Sequence, residues 1–453
     1  MRRRLTTGLV ALCLFASCGM YRPYSRPETD ADGLFRDTMA GADTATLAAM
    51  PWRELFTDSS LQALVEQGLR HNTDLQVAHL QTVEAAAALR KARLSLLPSL
   101  MLSPEGGVSR YGATSAGTYS LAATASWELD IFGKNTNAKR GASEALEGSR
   151  DYAQAVRTQL IATIADSYYT LLMLDSQLET GERTLQSWDR SIRVLEALKR
   201  AGQANDVAVL QARSNRMQLE ASVISLRKSI AETENTLSAL LAQPSHRIVR
   251  GTLAEADFPR HVSVGVPAQL LSNRPDVRRT EHDLARAFYN TNVARAAFYP
   301  SLTLSGTLGW TNNGGGTVAN PGQWLANVLG SLVQPLFDKG ANAAALEIAK
   351  AQQEEASLRF RQSLLDAGKE VNNALAHWQA AQQRVDVGAR QIETLREAVR
   401  RTEALMRHSP ATYLEVLTAQ QSLLDAEQAQ SSNRFDEIQG IIHLYRALGG
   451  GLR

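Results

Sequence analysis

The sequence predicts an α+β membrane protein built from an internal duplication, and three observations lead to that prediction. ARLSLLPSLML at 92–102 recurs as ARAAFYPSLTL at 294–304, an offset of 202 residues. The period of the apolar residues changes from helical to alternating at 99–132 and again at 300–337. Long segments rich in helix-forming residues follow each change, with no proline between Pro104 and Pro244 or between Pro335 and Pro410.

The duplication extends through most of the chain. FGKNTNA at 132–138 matches FDKGANA at 337–343 with an offset of 205, and VLQARSN at 209–215 matches VLTAQQS at 416–422 with an offset of 207. A period near two hundred residues is too long for a solenoid repeat, so each copy is a whole sub-domain. We therefore predict a first repeat at 55–245, a proline-containing crossover linker at 246–274 and a second repeat at 275–453.

The N-terminus predicts export and lipid attachment. Residues 1–17 have three arginines, an apolar run and then small residues, which is typical of a secretory signal peptide. Phe-Ala-Ser-Cys at its end resembles a bacterial lipobox, in which the cysteine, here Cys18, is lipidated and becomes the first mature residue. The alternative is an ordinary cleaved signal followed by an incidental cysteine. Residues 18–54 lack periodicity and predict an extended tether.

Helices precede each alternating segment. The apolar residues between Trp52 and Leu97 have a helical period, and His71-Asn72-Thr73 predicts a break with Thr73 as the N-cap of the second helix. Residues 276–298 supply the corresponding helix of the second copy. Each of these segments ends at a proline, which resists continuation of a helix.

The alternating segments predict two membrane hairpins. Alternation over 119–131 is long for a soluble strand, whereas a tilted membrane strand needs about 9–11 residues. In the second copy Asn312 to Gly316 supply the turn and 324–337 the returning strand. The residues expected to face lipid are Tyr119, Leu121, Ala123, Trp127, Leu304 and Trp310. The alternative is a pair of surface hairpins on a soluble protein.

A very long helix follows each hairpin. Residues 134–200 and 339–407 predict rods of roughly 100 Å at 1.5 Å per residue. Shorter return helices follow at about 206–243 and 413–448. Leu417, Leu424, Ile438 and Tyr445 recur every seven residues with Ser431 between them, which indicates coiled-coil packing. An ordinary coiled coil is the alternative, and the signal peptide disfavours it.

Two hairpins give four membrane strands, and an open sheet of four leaves edge N–H and C=O groups unsatisfied in lipid. The strands must therefore close with copies from other chains, so the protein must form an oligomer. Three copies would give a twelve-stranded barrel. Closure follows from the sequence, but the number three does not.

Four motifs carry a family resemblance, in family order and with family spacing: VPAQLLSNRPDV (266–277), ARAAFYPSLTLSG (294–306), TYLEVLTAQQSLLDAEQAQ (412–430) and LYRALGGG (444–451). Together they resemble the outer-membrane efflux protein family, the TolC-like outer membrane factors, in its lipoprotein branch. The resemblance implies a homotrimer with a twelve-stranded β-barrel in the outer membrane, continuous with a long periplasmic α-helical barrel. It implies an exit duct of a tripartite efflux pump whose partners are a periplasmic adaptor and an inner-membrane transporter, of the resistance-nodulation-division type.

The resemblance also implies functional positions at the periplasmic tips. Adaptor contacts would fall at Gly202, Asn205, Ser409, Pro410 and Thr412. The closed aperture would fall at Leu414 and Thr418. The family commonly has aspartate where this chain has Thr418, so an acidic ring at that level is in doubt. Glu415 or Asp206 would supply the carboxylate instead, or the gate is apolar; for Leu414, ordinary core packing stays an alternative.

Other classes find little support in the sequence. We find no nucleophile elbow, phosphate-binding glycine loop or His-x-x-x-His pair, so we predict no enzymatic activity, no metal and no cofactor besides the lipid on Cys18. Removal of the three N-terminal arginines takes the net charge from +2 to −1, which predicts no nucleic-acid partner. A protein-secretion duct and a non-channel lipidated coiled-coil scaffold remain as alternatives.

Overall fold

The computed structural model of the 453-residue chain describes residues 21, 23–27, 34, 47–112, 114–259, 273–314, 317–406 and 413–451. The predicted signal peptide and parts of the tether and linker lie outside these residues. The chain divides into two compact units that mix the two sequence repeats. The first contains His79–Asp151 and Arg278–Ser363 with the described part of Met1–Thr29, and the second contains Tyr152–Val277 and Leu364–Arg453 with the described part of Asp30–Ala78.

The order of helices and strands follows the duplication. The first copy contains α1 (Trp52–Leu55), α2 (Ser59–His71), α3 (Thr73–Leu94), β1 (Ser99–Tyr111), β2 (Thr114–Leu129), α4 (Lys134–Arg200) and α5 (Asp206–Leu240). The second contains α6 (Pro275–Ala296), β3 (Ser301–Gly314), β4 (Thr317–Val333), α7 (Ala341–Met406) and α8 (Tyr413–Ala447). A short 3₁₀ turn, Leu253–Glu255, lies in the linker. The predicted long helices and their shorter returns are therefore present.

The first unit contains one antiparallel sheet in the order β1-β2-β3-β4. Its register places Leu121 opposite Trp310, Ala123 opposite Leu308 and Trp127 opposite Leu304. The same alternation places Thr124 opposite Thr307, on the other side, where the two hydroxyl oxygens are 3.2 Å apart. Because side chains alternate along a strand, the large apolar residues of the central strands β2 and β3 lie on one face of the sheet. The edge strands β1 and β4 carry apolar residues on both faces, such as Met101 opposite Thr124 and Leu329 opposite Ser305.

Three strand boundaries differ from the predictions. β2 ends at Leu129, so Ile131 is not a strand residue although it continues the alternation. The cause is Asp130, whose carboxylate accepts hydrogen bonds from the backbone N–H groups of Asn135 at 2.8 Å and Thr136 at 2.7 Å and so begins α4. In the second hairpin the returning strand is Thr317–Val333, so the predicted start at Trp324 is too late and the predicted end at Phe337 too far along.

The helices of the second unit lie in the lateral order α5, α4, α8, α7. Arg227 of α5 pairs with Glu182 of α4 at 2.7 Å, and Arg183 of α4 pairs with Glu427 of α8 at 3.0 Å. Arg396 of α7 reaches the same Glu427 at 2.7 Å. The predicted heptad positions of α8 are all buried: Leu417, Leu424, Ser431, Ile438 and Tyr445. The predicted heptad positions therefore form the buried face of α8.

A glycine brings α7 and α8 close together. A Cβ added at Gly440 would lie 2.8 Å from the Trp378 Cα, so only glycine fits at this crossing. The side chain of Trp378 is buried on the opposing helix. Close backbone approach of this kind gives dense packing between long helices.

The break between α2 and α3 lies where it was predicted, but its cap is a different residue. Asn72 Oδ1 accepts a hydrogen bond from the Leu75 N–H at 3.0 Å, so Asn72 is the N-cap and Thr73 is the first helical residue. The prediction of Thr73 was wrong. The Asn72 amide also donates to the Leu240 carbonyl at 3.0 Å, a contact between helices that the sequence does not reveal.

No helix within the described ranges is both long and apolar enough to cross a membrane.

Candidate functional site

The first candidate tip is the break between α4 and α5. Gly202 has a φ of +73°, a conformation that glycine adopts without steric cost. Asn205 caps α5, since its side-chain oxygen accepts a hydrogen bond from the Ala208 N–H at 3.0 Å. Asp206, the first residue of α5, forms an ion pair with Lys199 of α4. The predicted tip residues Gly202, Asn205 and Asp206 thus form a short, exposed connection.

A small apolar cluster joins this tip to the start of α8. Leu417 packs with residues from both arms of the first tip, and Tyr413 lies against the cluster. The cluster members from α4 and α5 are Ile192, Leu195, Ala208, Val209 and Ala212. The structure therefore brings the start of α8 against the first tip, although the two lie about 200 residues apart in the sequence.

The predicted aperture residues share the solvent-facing side of α8. Leu414 is 58% exposed, and Glu415 and Thr418 are also exposed. Their neighbours Val416 and Leu417 are buried against the rest of the unit. Leu414 is therefore not a core residue of the single chain, and ordinary packing within the chain does not account for it.

The two candidate carboxylates differ in their surroundings. Asp206 has Lys199 as its partner, which compensates its charge. Within the described part of the chain Glu415 forms no ion pair and its side chain is exposed. Glu415 is accordingly the better candidate for an acidic group at the tip.

Several predicted positions lie outside the described residues. These are Cys18 and three adaptor-contact positions: Ser409, Pro410 and Thr412. Sequence reasoning missed Lys199, which lies seven residues before Asp206 across the break. It also missed Tyr413, whose ring at the first turn of α8 packs on the apolar cluster. The sequence did contain a signal for this ion pair, since Lys199 and Asp206 have opposite charges and flank the predicted turn.

The predicted lipid-facing residues lie on the apolar face of the sheet in the first unit. Tyr119, Leu121, Trp127, Leu304 and Trp310 are exposed, and Ala123 is half-buried. The Trp310 and Trp324 rings meet edge to face with centroids 5.6 Å apart. An exposed apolar face of this size requires a cover. That these residues touch lipid stays a prediction.

A polar cluster joins α4 to α6 in the first unit. His282 Nδ1 lies 2.7 Å from Glu144, its Nε2 lies 3.4 Å from Asp151, and Arg278 pairs with Asp151 at 2.6 Å. The hydrogen bond to Glu144 raises the pKa of His282 above its ordinary value. Burial raises the pKa of Asp151 as well.

The NRPD motif has a structural role in the second unit. Arg274 is buried, and it contacts Asp276 at 2.5 Å and Glu370 at 2.9 Å. It also donates to the Ala447 carbonyl at 3.1 Å, at the end of α8. One side chain thereby fixes the start of α6 to α7 and to the last turn of α8.

No group of three His, Cys, Asp or Glu side chains among the described residues is arranged to hold a metal ion.

A four-stranded antiparallel sheet whose central strands carry their large apolar residues on one face, long helices packed side by side and exposed tips are the features of a TolC-like channel protein. Comparison with known families agrees: the outer membrane efflux protein family matches residues 64–243 and 266–450. The chain belongs to the outer membrane efflux protein family. It is an efflux channel of the outer membrane and not an enzyme, and channels of this family need no cofactor.

Relatives match over nearly the whole chain. Cation efflux system protein CusC of Escherichia coli K12 is 29% identical over 453 residues, which cover 98% of each chain. Pyoverdine export outer membrane protein OpmQ of Pseudomonas putida is 31% identical over 419 residues, or 88% of each chain. The probable outer membrane lipoprotein SilC of Salmonella typhimurium is 28% identical over 409 residues, again 88% of each chain.

Solved structures show the same fold. The open state of the Neisseria gonorrhoeae MtrE outer membrane channel superposes with a TM-score of 0.87 at 26% identity, over 96% of this chain and 99% of that chain. A crystal structure of CusC superposes with a TM-score of 0.83 at 27% identity, over 96% and 100%. The predicted family, fold class and outer-membrane location are confirmed.

Proposed function

We propose that this protein is the outer-membrane exit duct of a tripartite efflux pump. It conducts small molecules passively from the periplasm to the exterior once an adaptor and an inner-membrane transporter engage it. The observation that carries the proposal is the sheet itself. Its edge strands β1 and β4 each pair on one side only among the described residues, and the large apolar residues of its central strands β2 and β3 share one face.

Closure of the sheet gives the oligomer. Four strands per chain and a barrel wide enough for a conduit correspond to three copies and twelve strands. The homotrimer supplies every strand edge with a partner, which lipid cannot do.

Cys18 anchors the N-terminus to the membrane. Diacylation with N-acylation exceeds the two-chain minimum for stable anchoring. The intact mass of the mature protein tests this, because an unmodified N-terminus at or near Cys18 would contradict it. Cys18 is followed by Gly19 and not by aspartate, which favours sorting to the outer membrane.

The exposed tips contact the adaptor and close the duct. Gly202 and Asn205 with Ser409, Pro410 and Thr412 are the proposed adaptor contacts. Leu414 and Thr418, with Glu415 and Asp206 as the nearby carboxylates, are the proposed aperture. Those of these residues that the structure describes are exposed in the single chain, as is expected of residues that contact other chains.

The transporter selects the substrate. The relatives are named for cations, pyoverdine and toluene, although they have similar lengths and sequences. We therefore assign this chain the general task of passing small molecules and leave selection to the transporter, of the resistance-nodulation-division type.

Planar bilayers test the proposal. We expect the purified protein to migrate as a heat-modifiable oligomer and to open stable channels. A monomer without conductance would overturn the proposal and favour a lipidated scaffold. Transport of an unfolded polypeptide and not of small molecules by the reconstituted pump would indicate a secretion duct instead.

A further inference from the structure

The sheet of the first unit contains very few charged residues. Its four strands include Glu105, Arg110 and Glu128, and no other Asp, Glu, Lys or Arg. The strands β3 and β4 contain no charged residue at all. Each of the three charges therefore dominates the electrostatic potential of the face that carries it, and the strand register decides which face that is.

The register places Glu105 on the polar face of the sheet, the face that carries Thr124. Glu105 lies opposite Ser120, which in turn lies opposite Thr311. Ser120 and Thr124 share one face because they are four residues apart on β2 and side chains alternate along a strand. The pairing of β1 with β2 has no register shift, so Arg110, five residues after Glu105, lies on the apolar face. The strands themselves therefore place no positive charge on the polar face.

The polar face is the concave side of the sheet. Ser120, Thr124 and Thr307 are half-buried, whereas Leu121 and Leu308 on the apolar face are exposed by 51 and 58%. Side chains on the concave side of a curved sheet lie closer together and cover one another, which accounts for this difference. In the barrel of the proposed function the concave side encloses the lumen and the apolar side contacts lipid.

Other polar groups of this face have partners close by. The hydroxyl of Thr311 donates to the Tyr119 carbonyl at 3.0 Å. Glu128, the second carboxylate of the face, lies 3.1 Å from the Lys134 ammonium at the start of α4. Glu105 is exposed, and among the residues that the structure describes it forms no ion pair. Within the described sheet it is therefore the uncompensated charge of the polar face.

We propose that Glu105 sets the charge preference of the duct and favours the passage of cationic over anionic small molecules. It lies six residues after Ser99 and seven before Gly112, so roughly 20 Å of strand separates it from each end of the hairpin. Three copies therefore place three carboxylates at one level, midway through the barrel. The inference rests on the trimer of the proposed function and adds the class of molecule that its barrel passes more readily.

A ring of three carboxylates acts across the whole lumen at low ionic strength. Twelve strands about 4.8 Å apart, tilted by about 40°, enclose a barrel of roughly 12 Å radius. The Debye length is about 10 Å in 0.1 M salt and about 3 Å in 1 M salt. The ring therefore attracts cations and repels anions over most of the cross-section in dilute salt. In concentrated salt its influence is confined to the wall.

Reversal potentials in planar bilayers test this preference. Under a KCl gradient centred on about 0.1 M, we expect the wild-type trimer to prefer potassium to chloride. Glu105→Gln should shift the reversal potential in the direction of chloride, and Glu105→Lys should shift it further in the same direction. The charges of the tips are identical in the three proteins, so the differences between them report the ring. At about 1 M salt these differences should largely vanish.

Charged thiol reagents test which side of the wall the residue faces. Glu105→Cys removes the charge, and in the proposed function acylated Cys18 leaves no other free thiol in the mature chain. A sulfonate-bearing methanethiosulfonate should restore the preference for potassium, whereas a trimethylammonium-bearing one should favour chloride. Val108→Cys is the matched control, since Val108 is 80% exposed on the apolar face three residues away. The same reagents should leave its reversal potential unchanged.

Equal reversal potentials of wild type and Glu105→Gln in dilute salt would overturn the proposal. A response to the reagents at Val108→Cys but not at Glu105→Cys would also overturn it, because the lumen would then lie on the other face. In both cases the channels still conduct, and the proposed function stands. Absence of channels in the wild-type protein would instead overturn the proposed function and, with it, this inference.

Discussion

Asn72 joins three backbone segments with one side chain. It follows α2, caps α3 through the Leu75 N–H and donates to the Leu240 carbonyl at the end of α5. Replacement by alanine removes a cap worth about 1 kcal/mol and leaves the half-buried Leu240 carbonyl without this donor. We expect Asn72→Ala to lower the thermal midpoint of helix unfolding, measured by circular dichroism. Asn72→Ser should recover part of the loss, since serine caps but cannot reach Leu240; equal midpoints for both variants would contradict the capping role.

His282 makes stability depend on pH. Its hydrogen bond to Glu144 raises its pKa in the folded state above the ordinary value of 6.5. The contribution of the charged histidine is therefore fully present below that value and is lost as the pH rises through the raised pKa. A hydrogen bond to a charged group contributes about 1.5–3 kcal/mol. We expect wild type to be more stable than His282→Gln at pH values below 6.5, and the difference to shrink in alkaline buffer.

Thermal unfolding of wild type and variant across this pH range provides the measurement. Glu144→Gln should reduce the same pH dependence, because it removes the partner that dominates the shift. His79→Gln, at an exposed position of α3, serves as the matched control and should follow wild type. A constant difference between wild type and His282→Gln at all pH values would exclude this role for the histidine.

At the scale of the single element, the strands give a test of orientation. Leu121 lies on the apolar face opposite Trp310, whereas Thr124 lies on the other face opposite Thr307. Arginine on a lipid-facing position near the midplane costs about 2–4 kcal/mol. We expect Leu121→Arg, Ala123→Arg and Leu304→Arg to reduce the yield of folded protein in the outer membrane. Thr124→Arg and Thr303→Arg should be tolerated, and equal yields on both faces would show that the apolar face does not contact lipid.

The sequence predicted elements where one period dominates. The heptad from Leu417 to Tyr445 and the bounds of α4 came directly from spacing and from the absence of proline. The end of a strand was missed where the alternation of apolar residues continues beyond it, as at Ile131. There the capping carboxylate of Asp130 ends the strand, although the hydrophobic pattern continues. At Asn72-Thr73 both residues are good caps, so only the hydrogen bond to Leu75 distinguishes them.

The tip was predictable only in part. The breaks at Gly202 and near Pro410 follow from composition, but the apolar cluster that joins α4, α5 and α8 depends on contacts across about 200 residues. An exposed stripe of α5, formed by Val207, Leu210, Met217 and Ile224, shows the same limit. Its residues have the periodicity of a core, and only the structure reveals that its own chain leaves them uncovered.

At the scale of the whole molecule, the aperture exists only when three tips surround one axis. An apolar constriction closes by dewetting and needs no charge. If Leu414 supplies that constriction, Leu414→Ala should raise single-channel conductance. The conductance of both proteins should then depend little on pH between about 4 and 7, where carboxylates titrate.

Sharp opening of the wild-type channel on acidification would instead indicate a ring of carboxylates. Glu415→Gln should then abolish the pH response, since Glu415 has no ion-pair partner among the described residues. Asp206→Asn should have the smaller effect, because Lys199 already compensates that charge. If Asp206→Asn reduced the pH response more than Glu415→Gln, the carboxylate ring would be assigned to Asp206.

The pairing of β2 with β3 also has a consequence for biogenesis. It joins Leu129 to Leu302 and Ser120 to Thr311, partners that are 173 to 191 residues apart in the chain, whereas each hairpin closes locally. Contacts of such long range form late and slowly. During export the first hairpin therefore waits, with its apolar face uncovered, until α4, α5, the linker and α6 have followed it through the inner membrane. Over that interval the uncovered apolar face favours aggregation, which competes with assembly of the barrel.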